Sequence, residues 1–295
     1  MNSNMISESE RLFIQDGVTQ GLRNDGRGTL EYRPVFVRSN VVAQADGSCR
    51  VRCGDSEVLA GAKLDLTQPD SSRPNEGKFI VAVEFPAAVA SSLNARAQED
   101  LGEYYADLLE RLCVNRSVLD VKKLCVLKGR FVFNVHIDII VLSAGGSLVD
   151  ALSMAIRTTL RDLRIPYVEV IRGQEEGEED RVVVDERPDS AATLTGVEKI
   201  PLVITMGLVA GRFLIDLTRE ELACASSTVM AAVDVHGRCV GIQKRGSGAV
   251  DPSLLPSVLQ TACRVGQKLG VTLEETLVKH GGFEEVESEE DIDMK

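Results

Sequence analysis

The sequence predicts an α+β fold in which one half, built of strands and helices, is followed by a smaller copy of itself. Apolar residues make up 44% of the 295 residues, aromatic residues only 4%, and tryptophan is absent. Such a core must consist mainly of aliphatic side chains, which suits a mixed helix-and-sheet structure. Several strand-like runs come before each long amphipathic helical run, so an α+β order is favoured over regular βαβ alternation.

At its start the chain has the pattern of a short helix followed by a row of strands. A Ser7-x-x-Glu10 capping box predicts a helix over 7–22, and the turn-rich link 23–28 follows. Alternating apolar residues, bounded by turn residues, then predict strands over 35–43, 49–53, 56–66 and 79–85.

Two helices flank one long strand in the remainder of the first half. Apolar stripes predict helices over 98–114 and 147–164. The strand between them, over 130–142, alternates apolar residues with three polar ones, Asn134, His136 and Asp138. A reactive polar pair is one interpretation of these three residues. We favour a packed or interface-facing ladder, because successive residues on one face of a strand lie about 7 Å apart.

The second half repeats this order in shortened form. It follows an acidic, weakly apolar segment over 173–189, in which we expect at most a strand over 181–184. Thr218-x-x-Glu221 predicts a capped helix, and a hairpin turn is predicted at His236-Gly237. The strands of this half are predicted over 201–206, 212–216 and 228–236.

The C-terminal part is predicted to hold one long helix, one short helix and an acidic tail. Asp251-Pro252 has the residue types preferred at a helix start, and Gly270 is expected to end that helix. A capping pattern at Thr272-x-x-Glu275 predicts a short extra helix. The acidic run over 283–293 is expected to be disordered.

These elements divide the chain into five segments: an N-terminal helix and link, a first half, an acidic linker, a second half, and a short helix with the acidic tail. We place the segments at 1–29, 30–170, 171–196, 197–272 and 273–295. The linker and the tail are separated from the halves by composition, because both are acidic and poor in large apolar residues.

Charge and cysteine content exclude some classes of protein. With a net charge of −12 and a pI near 4.9, the overall field repels nucleic acid, so RNA contact needs a local basic patch or a larger assembly.

The seven cysteines include no Cys-x-x-Cys pair, which favours reduced, buried thiols and predicts neither a metal site nor a cofactor. No apolar run approaches ~20 residues and the N-terminus lacks an apolar signal core, so we expect a soluble intracellular protein without a membrane partner.

A series of short motifs, read in order over 5–270, resembles the RNase PH family. The motifs are Arg23-x-Asp25-Gly26-Arg27, Arg33-Pro34, Pro74-Asn75-Glu76-Gly77, Asn115-Arg116-Ser117, Ala144-Gly145-Gly146, Arg164-Ile165-Pro166 and Asp216-Leu217-Thr218. The third motif, with Gln243-Lys244-x-Gly246-x-Gly248, is most similar to RNA exosome ring subunits of the ribosomal-RNA-processing protein 42 type. The acidic tail and the insertion over 173–189 favour a eukaryotic member.

The resemblance implies the RNase PH fold, which is ribosomal protein S5 domain 2-like, in two pseudo-repeated halves. It also implies a six-membered ring around an RNA-conducting pore. The implied partners are other RNase PH-like ring subunits, S1 and KH cap subunits, an associated hydrolytic nuclease, and the RNA that passes through the pore. The implied location is the nucleus and nucleolus, and also the cytoplasm.

Active members of this family cleave the 3′ end of RNA with inorganic phosphate, and the resemblance implies where that chemistry would lie. A Thr/Ser-Arg pair after Gly-Gly would hold phosphate, and aspartates after Asp-Leu would serve the leaving oxygen or a metal. Here the first place reads Ser147-Leu148, and the others read Leu222, Ser226 and Thr228. Because none of these side chains supplies a guanidinium or a carboxylate, we expect no catalytic residue; Glu221 is assigned to helix capping.

A basic cluster in this acidic chain supplies the candidate RNA-binding residues, since phosphate contact needs only placement and charge. They are Arg111, Arg116, Lys122 and Lys123. By resemblance, Arg116 lies in the region that faces the pore. The alternative interpretation is a solvated helix edge paired with Glu110 and Asp120.

The sequence therefore predicts a non-catalytic ring subunit of the RNA exosome that supports 3′-to-5′ RNA processing and degradation, including ribosomal RNA maturation and messenger RNA turnover. Two alternatives stay open. One is an active phosphate-dependent exoribonuclease, and the other is a chain that supplies RNA-binding residues to a partner's active site.

Overall fold

The computed structural model describes residues 6–91, 93–114, 119–171, 181–185, 187, 191–279 and 284–286, and the structural statements below concern these residues. The fold is α+β, as predicted. Its helices are α1 Glu8–Thr19, α2 Ala95–Leu112, α3 Val149–Asp162, α4 Arg219–Cys224 and α5 Leu255–Lys279. Its strands are β1 Val35–Ser39, β2 Gly47–Cys53, β3 Ser56–Thr67, β4 Lys78–Glu84, β5 Cys125–Leu127, β6 Phe131–Ser143, β7 Arg164–Ile165, β8 Tyr167–Ile171, β9 Arg181–Asp185, β10 Ala192–Thr193, β11 Leu202–Val209, β12 Arg212–Ile215, β13 Ser227–Val233, β14 Cys239–Arg245 and β15 Glu284–Val286.

The first half is a seven-stranded sheet in the order β15-β1-β2-β3-β6-β4, with β5 paired to β6. All neighbours are antiparallel except β4 and β6, which are parallel and are connected through α2. Along β6 the apolar Val135, Ile137 and Ile139 are fully buried, whereas Asp138 is exposed. The alternation predicted for this strand is confirmed, and the sheet therefore has one face against the core.

The second half is a four-stranded antiparallel sheet in the order β12-β11-β13-β14. One of its inner strands, β11, is almost wholly buried, and it contacts helices α3, α4 and α5. The hairpin between β13 and β14 turns where predicted. Asp234 closes the turn by accepting hydrogen bonds from the backbone N–H groups of His236 at 2.9 Å and Arg238 at 2.8 Å.

Helix α3 lies between the two sheets and contacts β2, β3 and β11. Every residue from Val149 to Leu160 is buried, so this helix is covered all round and not only along one stripe. One apolar cluster therefore runs through both halves. It includes Val51 of the first sheet, Ile156 of α3 and Ile204 of the second sheet.

The predicted break in the last helix is wrong. Helix α5 runs without interruption from Leu255 to Lys279, so Gly270 does not end it and Thr272 does not start a separate helix. The reason is tertiary: beyond Gly270, Leu273 is fully buried, and Glu274 accepts hydrogen bonds from the buried Arg157 at 3.0 and 2.8 Å. Asp251 precedes the helix and forms a turn with Ser253 and Leu254.

Other predicted bounds shift at strand and helix ends. β1 ends at Ser39, earlier than predicted, because Asn40 takes a left-handed conformation with φ of 53°. α2 begins at Ala95, earlier than predicted, because Asn94 caps it by accepting a hydrogen bond from the Ala97 N–H at 2.8 Å. The predicted capping box at Ser7 and Glu10 is confirmed.

The acidic segments contain more strand than predicted. The strand expected over 181–184 is present as β9, which pairs with β8 in a two-stranded hairpin. In the acidic run over 283–293, expected to be disordered, residues Glu284–Val286 pair with β1. Most of the 173–189 segment and the rest of the tail lie outside the described residues. Across the described ranges, no helix has the length and apolar character needed to cross a membrane.

Candidate functional site

Two turns that the sequence singled out lie against each other. The segment Gly145-Gly146-Ser147 precedes α3, and Asp216-Leu217-Thr218 precedes α4. Gly146 pairs with Thr218 in an isolated β-bridge, and the Ser147 N–H donates to the Leu217 carbonyl at 2.8 Å. A Cβ on Gly146 would lie 2.2 Å from the Leu217 oxygen, so only glycine permits this approach. The fold thus brings the two halves of the expected phosphorolytic site together.

Asp216 is held at the centre of this junction by arginines. It is fully buried and has a left-handed φ of 46°. Arg33 binds its carboxylate with two guanidinium hydrogen bonds, at 2.8 and 2.7 Å, and with its backbone N–H at 2.8 Å. Arg27 adds a hydrogen bond at 3.2 Å. The carboxylate is therefore already engaged by charged donors within the chain.

Glu221 is engaged in the same way. Its carboxylate accepts two hydrogen bonds from the buried Arg23, at 2.8 and 2.7 Å, and one from the Thr218 N–H at 2.9 Å. The capping box predicted for α4 is confirmed. Glu221 therefore stabilises α4 and fixes the N-terminal link on the second half.

A third buried carboxyl, Asp150 of α3, connects Tyr32, which precedes β1, to the second sheet. The Tyr32 hydroxyl donates to its Oδ2 at 2.8 Å, and the Thr205 N–H donates to the same oxygen at 3.2 Å. Burial raises the pKa of Asp150 to about 6; the nearby negative charge of Asp216 also raises it, and hydrogen bonds from Thr205 and Tyr32 oppose the shift.

The place expected for phosphate is filled by the protein's own groups. Leu148 is buried in the main apolar core and caps α3 without a side-chain hydrogen bond. The Ser147 hydroxyl accepts a hydrogen bond from the Leu217 N–H at 3.1 Å, and the residue is only 2% exposed. Ser147 therefore serves the junction between the turns.

The three positions expected for aspartates have ordinary structural surroundings. Leu222 packs against a small apolar cluster that includes Ile14 and Val18 of α1. Ser226 is exposed, and its hydroxyl donates to the Leu208 carbonyl at 3.2 Å. Thr228 lies on β13, opposite Gly207 and Arg245.

The predicted RNA-binding residues are spread over separate elements. Arg111, at the end of α2, donates to the Gln243 side chain of β14 at 3.2 Å. Lys122 and Lys123 are exposed on a short 3-10 helix, Val121–Leu124, and the Lys123 amine contacts the Thr195 hydroxyl. Arg116 lies outside the described residues.

Within the described ranges, no group of three or more His, Cys, Asp or Glu side chains is arranged to hold a metal ion. All seven cysteines are free thiols, and burial raises the pKa of Cys49 and of Cys113 to about 12. A thiol with such a pKa stays protonated and unreactive at neutral pH.

Sequence reasoning missed two features of this junction. The pairing of Arg33 with Asp216 and of Arg23 with Glu221 was not predicted from the sequence. The motif Arg23-x-Asp25-Gly26-Arg27 was the available signal. That motif does not contain Asp150, which is buried because the second sheet packs against α3.

Two family models match most of the chain. The model of the 3′ exoribonuclease family, domain 1, matches residues 31–166, and the model of domain 2 of the same family matches residues 199–265. Together the two matches cover more than half of the chain and contain both turns of the junction.

Individual relatives are similar over nearly their whole length. A Dictyostelium discoideum protein with an RRP42 name is 27% identical over 323 residues, covering 92% of this chain and 98% of the relative. The exosome complex component Rrp42 of Sulfurisphaera tokodaii is 27% identical, covering 91% and 94%. A solved Archaeoglobus fulgidus exosome chain, from a structure with RNA bound to the active site, has a TM-score of 0.74 and 25% identity, covering 89% and 96%. With both domain models matched and these relatives aligned end to end, the chain belongs to the 3′ exoribonuclease, or RNase PH, family.

Proposed function

We propose that this chain is a structural subunit of an RNA exosome core ring and has no phosphorolytic activity of its own. Its relatives over nearly the full length carry exosome component names, and their chains are of the same extent. As a ring subunit it would support 3′-to-5′ RNA processing and degradation by closing the ring and lining the RNA path. We further propose S1 and KH cap subunits and a hydrolytic nuclease as partners, and the nucleus, nucleolus and cytoplasm as locations.

The proposed lack of activity rests on the junction between the two turns, where the charged side chains already bind one another within the chain. Phosphorolysis needs cationic donors for phosphate and a proton donor or metal at the leaving oxygen. Here the guanidinium groups of Arg23 and Arg33 are occupied by Glu221 and Asp216. Leu148 and Leu222 stand where charged groups are expected, and both pack with apolar neighbours.

A direct assay tests the inactive part. The purified chain is incubated with end-labelled single-stranded RNA, magnesium and phosphate, next to an active RNase PH family enzyme as positive control. We expect no phosphate-dependent release of nucleoside diphosphates from the chain alone. Release by the chain alone would contradict the proposal, because loss of both charged groups is expected to cost many orders of magnitude in rate.

A second candidate function is a contribution of RNA-binding residues to a partner's active site. The exposed Lys122 and Lys123 favour it, and so does the RNA-bound state of the Archaeoglobus relative. In the assembled ring, K122E/K123E should weaken RNA binding and flatten its salt dependence, with K63E on β3 as the control. Unchanged RNA binding by an intact variant ring would exclude these two lysines.

A further inference from the structure

Three of the seven cysteines are partly exposed to solvent, and two of these lie in neighbouring elements of the second half. Cys239 begins β14, and Cys263 lies on α5. The third, Cys125, lies on β5 of the large sheet. The other four cysteines are buried. These three thiols are therefore the ones that a dissolved reagent reaches in the folded chain.

Helix α5 packs closely against the hairpin that joins β13 to β14. A Cβ on Gly266 would lie 2.8 Å from the Cβ of Val233, and a Cβ on Gly237 would lie 2.9 Å from the Gln267 side chain. Cys263 precedes Gly266 by three residues and Gln267 by four, which places all three on the same face of the helix. Cys263 therefore faces the hairpin.

A β-bulge turns Cys239 towards the same helix. Ala232 pairs with Gly241 and the next residue, Val233, pairs with Cys239, so Val240 is an extra residue on β14. Because the bulge shifts the alternation of side chains by one residue, Cys239 lies on the same face as Val233, which is the face that α5 covers. Without the bulge, this thiol would lie on the opposite face of the sheet.

The two cysteines meet where the hairpin contacts α5. Burial raises the pKa of both thiols. Backbone hydrogen bonds from Gly241 to Cys239 and from Cys239 to Cys263 oppose this shift, and the charge of Cys263 adds to the raised pKa of Cys239. The contact between the Cys239 backbone and the Cys263 sulfur agrees with the placement that the bulge and the helix face predict.

We propose that Cys239 and Cys263 form a site of reversible oxidation, at which a low-molecular-weight disulfide of the glutathione class converts the two thiols into an intramolecular disulfide. The new bond links the β13–β14 hairpin to α5. This site is separate from the junction of the two turns, and the reaction does not depend on the proposed ring function.

Two thiol–disulfide exchanges produce the bond. The Cys263 thiol loses its proton first, because the hydrogen bond from the Cys239 N–H favours its thiolate. The thiolate attacks one sulfur of glutathione disulfide, whose S–S bond breaks and releases a glutathione thiolate. The Cys239 thiol, which donates to the Gly241 carbonyl at 3.4 Å, is then deprotonated and attacks the Cys263 sulfur, releasing the second glutathione thiolate. The two protons end on the two glutathione molecules, so two cysteines are oxidised and one glutathione disulfide is reduced.

The raised pKa of both thiols sets the pH dependence of this reaction. Only the thiolate attacks a disulfide, so exchange is slow near neutral pH. The rate of disulfide formation should rise about tenfold from pH 7 to pH 8, because the thiolate fraction rises by that factor while the pH stays below the pKa. A rate that does not change between these two pH values would contradict this assignment of the attacking groups.

Mass spectrometry of the oxidised chain tests the proposal. The purified, reduced full-length chain is incubated with glutathione disulfide, the remaining thiols are blocked with N-ethylmaleimide, and the digest is analysed before and after reduction. We expect a peptide pair linked through Cys239 and Cys263. C125S is the control for the other exposed thiol and should form the same pair. In C239S and C263S, the remaining member of the pair should carry glutathione.

Several outcomes of this experiment would overturn the proposal. They are a wild-type chain that keeps both thiols free, one that carries glutathione on both cysteines, and one that links either cysteine to a different partner. Circular dichroism of each variant checks that it is folded.

Thermal unfolding tests whether the disulfide fits the folded structure. The oxidised wild type should melt about 5 °C higher than the reduced chain, because the bond closes a loop in the unfolded chain. C263S treated in the same way should show no such increase. A midpoint that is unchanged or lower in the oxidised wild type would contradict a bond that links the hairpin to α5 without distortion.

Discussion

Asp216 illustrates how one residue combines an unfavourable backbone with favourable charge contacts. Its left-handed φ of 46° costs about 1 kcal/mol for a residue other than glycine. Its buried carboxylate is held by Arg33 at 2.7 Å and by Arg27 at 3.2 Å. The ion pairs hold the turn in a conformation that the backbone alone disfavours. Asp216 therefore stabilises the turn between β12 and α4.

We predict that D216N destabilises the protein by about 3 kcal/mol or more, because it leaves the Arg33 guanidinium buried without a counter-charge. Asparagine also adopts left-handed conformations, so the substitution tests the charge and not the backbone. Urea unfolding monitored by circular dichroism measures the change. D138N, at an exposed residue of β6, is the control and should stay within about 0.5 kcal/mol of wild type.

Asp150 is predicted to make stability depend on pH in the direction opposite to most carboxylates. Its pKa is raised from 3.8 to about 6 in the folded state. The folded state therefore binds the proton more tightly, and this contribution is complete below pH ~4 and lost as the pH rises through about 6. A shift of about two pKa units corresponds to roughly 3 kcal/mol.

The measurement compares D150N with wild type by urea unfolding at pH 4, 5, 6 and 7. Asparagine carries no charge at any of these values, so its pH profile lacks this contribution. We expect the stability of wild type relative to D150N to fall as the pH rises from 4 to about 6 and to level off towards pH 7. A difference that is constant over this range would show that Asp150 has an ordinary pKa.

At the scale of elements, the course of α5 shows where local signals lose to tertiary contacts. Gly270 and the Thr272-x-x-Glu275 pattern are both valid local signals for a helix boundary. Yet Leu273 is fully buried and Glu274 pairs with Arg157, and both contacts require the helix to continue in the same direction. The contacts made beyond the glycine outweigh its cost, which is about 1 kcal/mol in a helix interior.

Replacing this glycine tests the continuity of the helix. G270A should stabilise the protein by about 0.5–1 kcal/mol, since a Cβ there would meet only ordinary contacts, at 3.5 Å and beyond. G237A is the matched contrast: its φ is +73° and its Cβ would lie 2.9 Å from the Gln267 side chain, so it should destabilise. Thermal melting of both variants measures the sign, and a destabilised G270A would mean that the helix breaks there.

At the scale of the whole molecule, the two halves share one core. Helix α3 belongs to the first half by sequence, but it is covered by strands of both sheets and is buried from Val149 to Leu160. Arg157 of α3 extends this connection to α5 through Glu274. Neither sheet can lose α3 without exposing apolar surface, so the halves depend on each other.

We therefore predict a single cooperative unfolding transition. Circular dichroism and the fluorescence of the four tyrosines, measured in a chain without tryptophan, should report the same midpoint. E274Q weakens the contact between α3 and α5 and should lower the free energy of unfolding by about 1–3 kcal/mol. Both probes should then report the same lower midpoint. Two separated transitions would indicate that the halves unfold independently.

The sequence by itself determined the α+β class, most of the helices and strands, the two capping boxes and the family, because these depend on local periodicity, capping chemistry and ordered motifs. Tertiary structure alone decided that α5 continues past Gly270 and that Asp216 and Glu221 are neutralised by Arg33 and Arg23. Those outcomes depend on buried contacts between residues up to 198 positions apart in the chain. Local pattern carries no information about such distant partners, whereas burial makes their charges and hydrogen bonds decisive.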